Sequence, residues 1–117
     1  MERKRILTLA DGQRVMLRNI LYTDYFNHII TIHCKGETIK TRIKQSDMEA
    51  LLCKHPYFFC CAKGMIVNFH EVVRILDGEY ELSNGETVPV SRRRAKETQE
   101  AYARFRIEKM RSEARGI

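Results

Sequence analysis

Short alternating runs punctuated by glycine turns dominate this chain, and their density limits the folds open to it. Asp11-Gly12, Lys35-Gly36-Glu37, Asp77-Gly78 and Asn84-Gly85 each separate two such runs. Alternation at period two marks a strand with one buried face, because successive side chains point to opposite sides of a sheet. Residues 5–9 and 13–17 form a first hairpin around Asp11-Gly12. A strand beginning at Ile20-Leu21-Tyr22 stops near 24–27, a polar loop covers Asp24-Tyr25-Phe26-Asn27-His28, and 29–34 resumes with Ile30, Ile32 and Cys34 on one face. In 38–43, Ile39, Thr41 and Ile43 alternate against Lys40, Arg42 and Lys44, a half-exposed strand with a basic outer face. Adding 57–61, 72–76, 80–82 and 87–90 gives nine or ten short strands in fewer than 95 residues, which predicts a mainly β domain of stacked sheets. Asp77-Gly78 and Asn84-Gly85 both suit type I′ turns, which need positive φ at both central residues.

Two helices are predicted. Ser46-Asp47-Met48-Glu49 reads as a capping box opening a short helix near 46–54, with Met48, Leu51 and Leu52 at helical spacing and Pro56 beyond its end. From Ser91 the period changes: Ala95, Thr98, Tyr102 and Phe105 recur three and four apart, predicting a C-terminal helix over about 92–115 with Gly116 near its stop. Ser91 is its candidate N-cap. Arg92, Arg93 and Arg94 then fall in the first turn, where positive charge opposes the helix dipole at a cost of a few tenths of a kcal/mol or more each. Three such choices in a row point to a role other than helix stability.

The stretch 57–75, YFFCCAKGMIVNFHEVVRI, is where function enters. Lys63-Gly64 interrupts its apolar residues as an exposed basic loop on a rigid support, and Asn68 follows Ile66-Val67 where its amide can satisfy backbone groups at a strand end. Phe58-Phe59, Ile66-Val67-Asn68 and Val72-Val73-Arg74-Ile75, followed by Asn84-Gly85 and Val88-Pro89-Val90-Ser91-Arg92-Arg93, match in order and spacing the pattern of one known family. Across roughly residues 15–104 the chain resembles the LytTR family, the DNA-binding output domains of bacterial response regulators. The family carries an Arg-x-His-Lys/Arg-Ser run after the aromatic pair; here Cys60, Cys61, Ala62, Lys63 and Gly64 stand there, and only Lys63 keeps the basic character. The resemblance implies an elongated arrangement of three small antiparallel sheets, a base-contacting histidine at the loop holding His28, and a base-contacting arginine close to Arg93.

Charge agrees with that reading. Residues 1–90 carry 12 basic and 11 acidic side chains, whereas 91–117 carry 9 and 4, so five of the six excess charges lie in the last segment. A local excess of this kind is an electrostatic footprint for a polyanion. Basic groups confined to loops favour contacts in a duplex groove, whereas RNA or single strands would call for exposed aromatics across a sheet. The competing reading is a β-rich protein-interaction module with an incidentally basic helix. The expected DNA-binding residues are Asn27, His28, Lys63, Gly64, Arg92, Arg93 and Arg94, with Asn68 and Ser91 structural and Tyr25 divided between platform and core. A monomer is expected in solution, with two copies meeting on paired or directly repeated promoter sites.

Other functions find little support. A chain of 117 residues, 44% hydrophobic, has room for one soluble domain with a modest core. No window approaches the roughly 18 apolar residues a membrane span needs, and Met1-Glu2-Arg3-Lys4-Arg5 leads into no signal core, so the expectation is a cytoplasmic protein. Cys34, Cys53, Cys60 and Cys61 include no Cys-x-x-Cys pair and read as free thiols; a zinc site drawn from His33, Cys34, Cys53 and His55 lacks paired spacing. No phosphate-binding loop, zinc-protease motif or nucleophile turn occurs, so no catalytic residue, metal or cofactor is expected. No receiver domain precedes residue 15, which leaves a stand-alone regulator or an excised output domain.

Overall fold

The computed structural model describes residues 5–115. It contains ten strands in three antiparallel sheets. β1 (Ile6–Thr8) and β2 (Arg14–Met16) make a hairpin. The central sheet has five strands, in the order β5 (Glu37–Thr41), β4 (Ile29–Cys34), β3 (Ile20–Phe26), β7 (Met65–Asn68) and β6 (Phe58–Ala62). The third sheet runs β10 (Thr87–Pro89), β9 (Glu79–Leu82) and β8 (Val72–Leu76). Helix α1 (Gln45–Leu52) links β5 to β6, and α2 (Ala95–Arg115) follows a 3-10 turn at Arg92–Arg94. Gly116, read as the stop of the last helix, lies outside the described residues.

The central sheet is buried on both faces, which explains why 58–62 and 65–68 read as apolar runs and do not alternate. One face packs Ile20, Ile30, Ile32 and Ile66 against Leu7 and Val15 of the first hairpin and Met48 and Leu52 of α1. The other packs Leu21, Tyr22, Cys61 and Val67 against Tyr80, Leu82 and Val88 of the third sheet and Ala101, Tyr102 and Phe105 of α2. Neighbours Ile66 and Val67 are both fully buried, one in each core. A strand with this double duty tolerates neither a polar residue nor a one-residue slip.

Asn68 ends β7, and its buried amide joins two segments. Its Nδ2 donates to the Ile20 carbonyl at 2.8 Å, and its Oδ1 accepts from the His70 N–H at 2.9 Å. Each bond satisfies a main-chain group at a strand end that lacks a ladder partner.

Four local expectations are corrected. The loop read over 24–28 shrinks to Asn27-His28, because β3 stays paired with β4 through Phe26 opposite Ile29. Those two are the residues other than glycine with positive φ among the described residues, 52° and 65°; Asp77 and Asn84 are not left-handed, and only Gly78 and Gly85 after them are, so neither of those turns is type I′. The capping box does not form: Lys44 is the extended N-cap, its carbonyl accepts from the Asp47 and Met48 amides, and Ser46 lies inside the first turn. The Glu49 side chain instead meets Gln45 Nε2 at 3.2 Å, and Leu51 faces outward. Ser91 holds the N-cap position by main chain only; its carbonyl accepts from the Arg94 N–H at 3.0 Å and its hydroxyl makes no cap bond.

Candidate nucleic-acid interface

The central sheet fixes what lies at its ends. β3 runs out to Phe26 as β4 returns from Ile29, and β7 starts beside it with Met65 opposite Asp24. The β3–β4 turn, Asn27-His28, and the β6–β7 turn, Lys63-Gly64, therefore project from the same end. They pack closely: a Cβ on Gly64, whose φ is 75°, would sit 3.5 Å from Tyr25 Cβ. At this end also, the Ser91 N–H donates to the Cys61 carbonyl at 3.0 Å, and Arg94 Nη1 donates to the Cys60 carbonyl at 3.4 Å. Those bonds tie the Arg92–Arg94 turn to β6 just before Lys63. All seven sequence-predicted residues meet at one pole.

Their roles differ. Lys63, Arg92 and Arg93 are exposed, and among the described residues no carboxylate pairs with them within 4 Å. Their charges are open to an anionic partner. Arg94 is half-buried and its guanidinium is engaged with main chain, so it anchors the turn. The 3-10 turn holds all three arginines ahead of α2, whose own first turn carries Glu97, a charge the helix dipole favours.

Asn27 and His28 hold left-handed backbone without glycine, a conformation costing about 1–2 kcal/mol for most residues and least for Asn and His. Strain of this kind persists where a side chain is wanted at a tip. Tyr25 Oη lies 3.3 Å from His28 Nδ1 with the rings edge to face, and Tyr25 is 38% exposed, a brace between the two turns. Phe26 escaped the sequence reading: once β3 extends to it, its ring stands 81% exposed beside Asn27. The clue was an aromatic directly before a two-residue turn.

The thiols beneath this surface are held in the protonated form. Burial pushes Cys61 up to about 12, and burial followed by the Glu49 carboxylate raises Cys60, so both stay protonated at neutral pH. Among the described residues no three His, Cys, Asp or Glu side chains cluster as metal ligands, and no helix is long and apolar enough to cross a membrane.

A mainly β body of three sheets that gathers basic turns at one pole defines a class, and comparison with known proteins places the chain within it. The model of the LytTr DNA-binding domain family matches residues 12–103, and the chain belongs to that family. Its fold is similar to a Bacillus cereus structure described as the LytTr DNA-binding domain of a response regulator. The TM-score is 0.71 at 24% identity, over 83% of this chain and 95% of the other. No curated protein sequence matches the chain.

Proposed function

We propose that the domain binds duplex DNA sequence-specifically as the output module of a bacterial transcriptional regulator. The observation that carries this reading is the meeting of Asn27-His28, Lys63-Gly64 and Arg92-Arg93 at one pole of a LytTR domain. Arg93 reads a guanine through its forked donors, the contact a major groove most often offers. His28 and Asn27 supply donors and acceptors to a neighbouring base edge, and the Phe26 ring suits a thymine methyl. Lys63 and Arg92 hold phosphates, which set register and carry the salt dependence. Gly64 lets that turn approach the backbone closely. The free protein is a monomer, and two copies meet on paired or directly repeated sites.

Selection from random-sequence duplexes tests the reading: an enriched motif bound at least about a thousandfold tighter than bulk duplex is expected, and recovery of unbiased sequence rejects it.

His28→Gly separates function from folding. Glycine relieves the left-handed strain but adds unfolded-chain entropy, so unfolding free energy should stay within about 0.5 kcal/mol of the parent. Affinity for the selected duplex should fall about tenfold, the loss of one base contact. A stability loss above about 2 kcal/mol would make His28 a structural residue.

A further inference from the structure

Helix α2 continues well past its last buried residue. Its last buried residue is Phe105, and every residue from 106 to 115 is exposed, so about 15 Å of helix stands clear. This overhang carries Ile107 and Met110, which are 50% and 62% exposed and one turn apart. A free helix of that length is marginal in water. Against it lies an open groove of about 1090 Å³ whose lining includes the apolar side chains of Tyr57, Phe59, Phe105 and Ile107. A smaller cleft of about 310 Å³ adjoins it, sharing Arg5, Tyr57 and His70.

The rim is basic. Arg5, Arg104, Lys109 and Arg111 border the groove and Arg18 and Lys35 the cleft, six cations against the three carboxylates Glu71, Glu108 and Glu113. Glu71 is already held by Lys35 at 3.1 Å and Ser83 at 2.6 Å. Burial first, then the Lys109 charge, lowers the pKa of His70; Glu71 opposes the shift, and Arg5 and Lys35 add to it.

Position separates this surface from the DNA pole. The main-chain bond from Lys35 to Asn19 and the Asn68 bond to Ile20 lie at the start of β3, seven residues and roughly 20 Å from Asn27-His28. α2 begins at the DNA pole beside Cys60 and reaches His70 at the far one, where the His70 and Phe105 rings are 4.8 Å apart.

We propose that this groove docks an acidic amphipathic segment of a partner protein. Its carboxylates meet Arg18, Arg104 and Lys109, and its apolar side chains cover Tyr57, Phe105 and Ile107. Charge complementarity selects the partner, and the apolar lining separates it from a nucleic acid, whose phosphates have no use for such a surface. Docking while DNA is bound rests on the proposed function; docking itself does not.

The probe is a fluorescent peptide of about 16 residues with leucine at helical spacing and glutamate between, with a control in which lysine replaces each glutamate. Saturable binding of the acidic peptide alone is expected, with amide shifts at Arg18, His70 and Ile107. Affinity should fall at least about tenfold in Arg18→Glu/Lys109→Glu and in Ile107→Glu, all exposed positions, and should survive saturation with duplex. DNA affinity of Ile107→Glu should stay within about twofold of the parent. No binding, equal binding of the lysine peptide, or indifference to these substitutions overturns the proposal. Shifts at Lys63 and Arg92–Arg94, or displacement by duplex, overturn it too, because the peptide would then be a polyanion on the DNA pole. Self-association that Ile107→Glu abolishes would assign the groove to a second copy and overturn it equally.

Discussion

Phe69→Ala is expected to cost about 3–5 kcal/mol of unfolding free energy, a large part of the margin of a domain this size. The ring is 1% exposed and lies 5.9 Å from Phe59, 5.2 Å from Tyr102 and 5.7 Å from Phe105. It is the point where the central sheet and α2 share one core, and its N–H also donates to the Tyr57 carbonyl at 2.7 Å. Truncation leaves a cavity between a sheet and a helix, neither of which can collapse into it without breaking the stack. Chemical denaturation with an unchanged slope measures the loss, accompanied by a fall in Tm of more than about 10 °C. A loss below about 1 kcal/mol would mean that α2 is not docked as described.

Much of this architecture was legible because strand pattern and turn chemistry agree. Ile30, Ile32 and Cys34 alternate and are buried on one face, while Thr98, Tyr102 and Phe105 recur at helical spacing and pack as one stripe. Misreadings arose where tertiary pairing overrode local chemistry. Asp24-Tyr25-Phe26 looks like a polar loop until β7 pairs with β3 as far as Asp24 and β4 extends it to Phe26. Ser46 begins the residue pattern of a capping box, but the N-cap falls at Lys44, two residues too early for the Ser46 hydroxyl to reach the right amides. Asp77-Gly78 and Asn84-Gly85 carry hairpin dipeptides, yet only their glycines are left-handed.

The candidate site was readable in residue type and less so in division of labour. Three basic arginines in a row declare a cluster, but only the fold distinguishes exposed Arg93 from Arg94, whose guanidinium bonds the Cys60 carbonyl. Phe26 and the bracing Tyr25 depend on where β3 ends, which periodicity alone did not fix. The groove against α2 was invisible, because the helix stripe ends at Phe105 and nothing in the sequence says what lies beside the helix beyond it.

The second large effect concerns the triple change His28→Ala, Lys63→Ala and Arg93→Ala. These three side chains come from three separate turns at one pole, are exposed, and make no ion pair within the described residues. Lys63→Ala and Arg93→Ala should leave stability unchanged, and alanine at the left-handed position 28 should cost about 1 kcal/mol, too little to unfold the domain. On the proposed reading, a bidentate base contact of Arg93 would be worth about 1–3 kcal/mol of discrimination, and a further hydrogen bond from His28 about 1 kcal/mol. On the same reading Lys63 would hold a phosphate, so its loss should weaken binding to every sequence and shallow the logarithmic salt dependence by about one unit. Together they should lower specific affinity more than about a hundredfold at physiological salt. The direct test of sequence-specific binding by this pole is therefore the affinity of the folded triple variant for the selected duplex, measured by fluorescence anisotropy beside a scrambled duplex. Collapse of the preference for the selected sequence is expected; a specific affinity within about twofold of the parent would show that this pole does not read DNA.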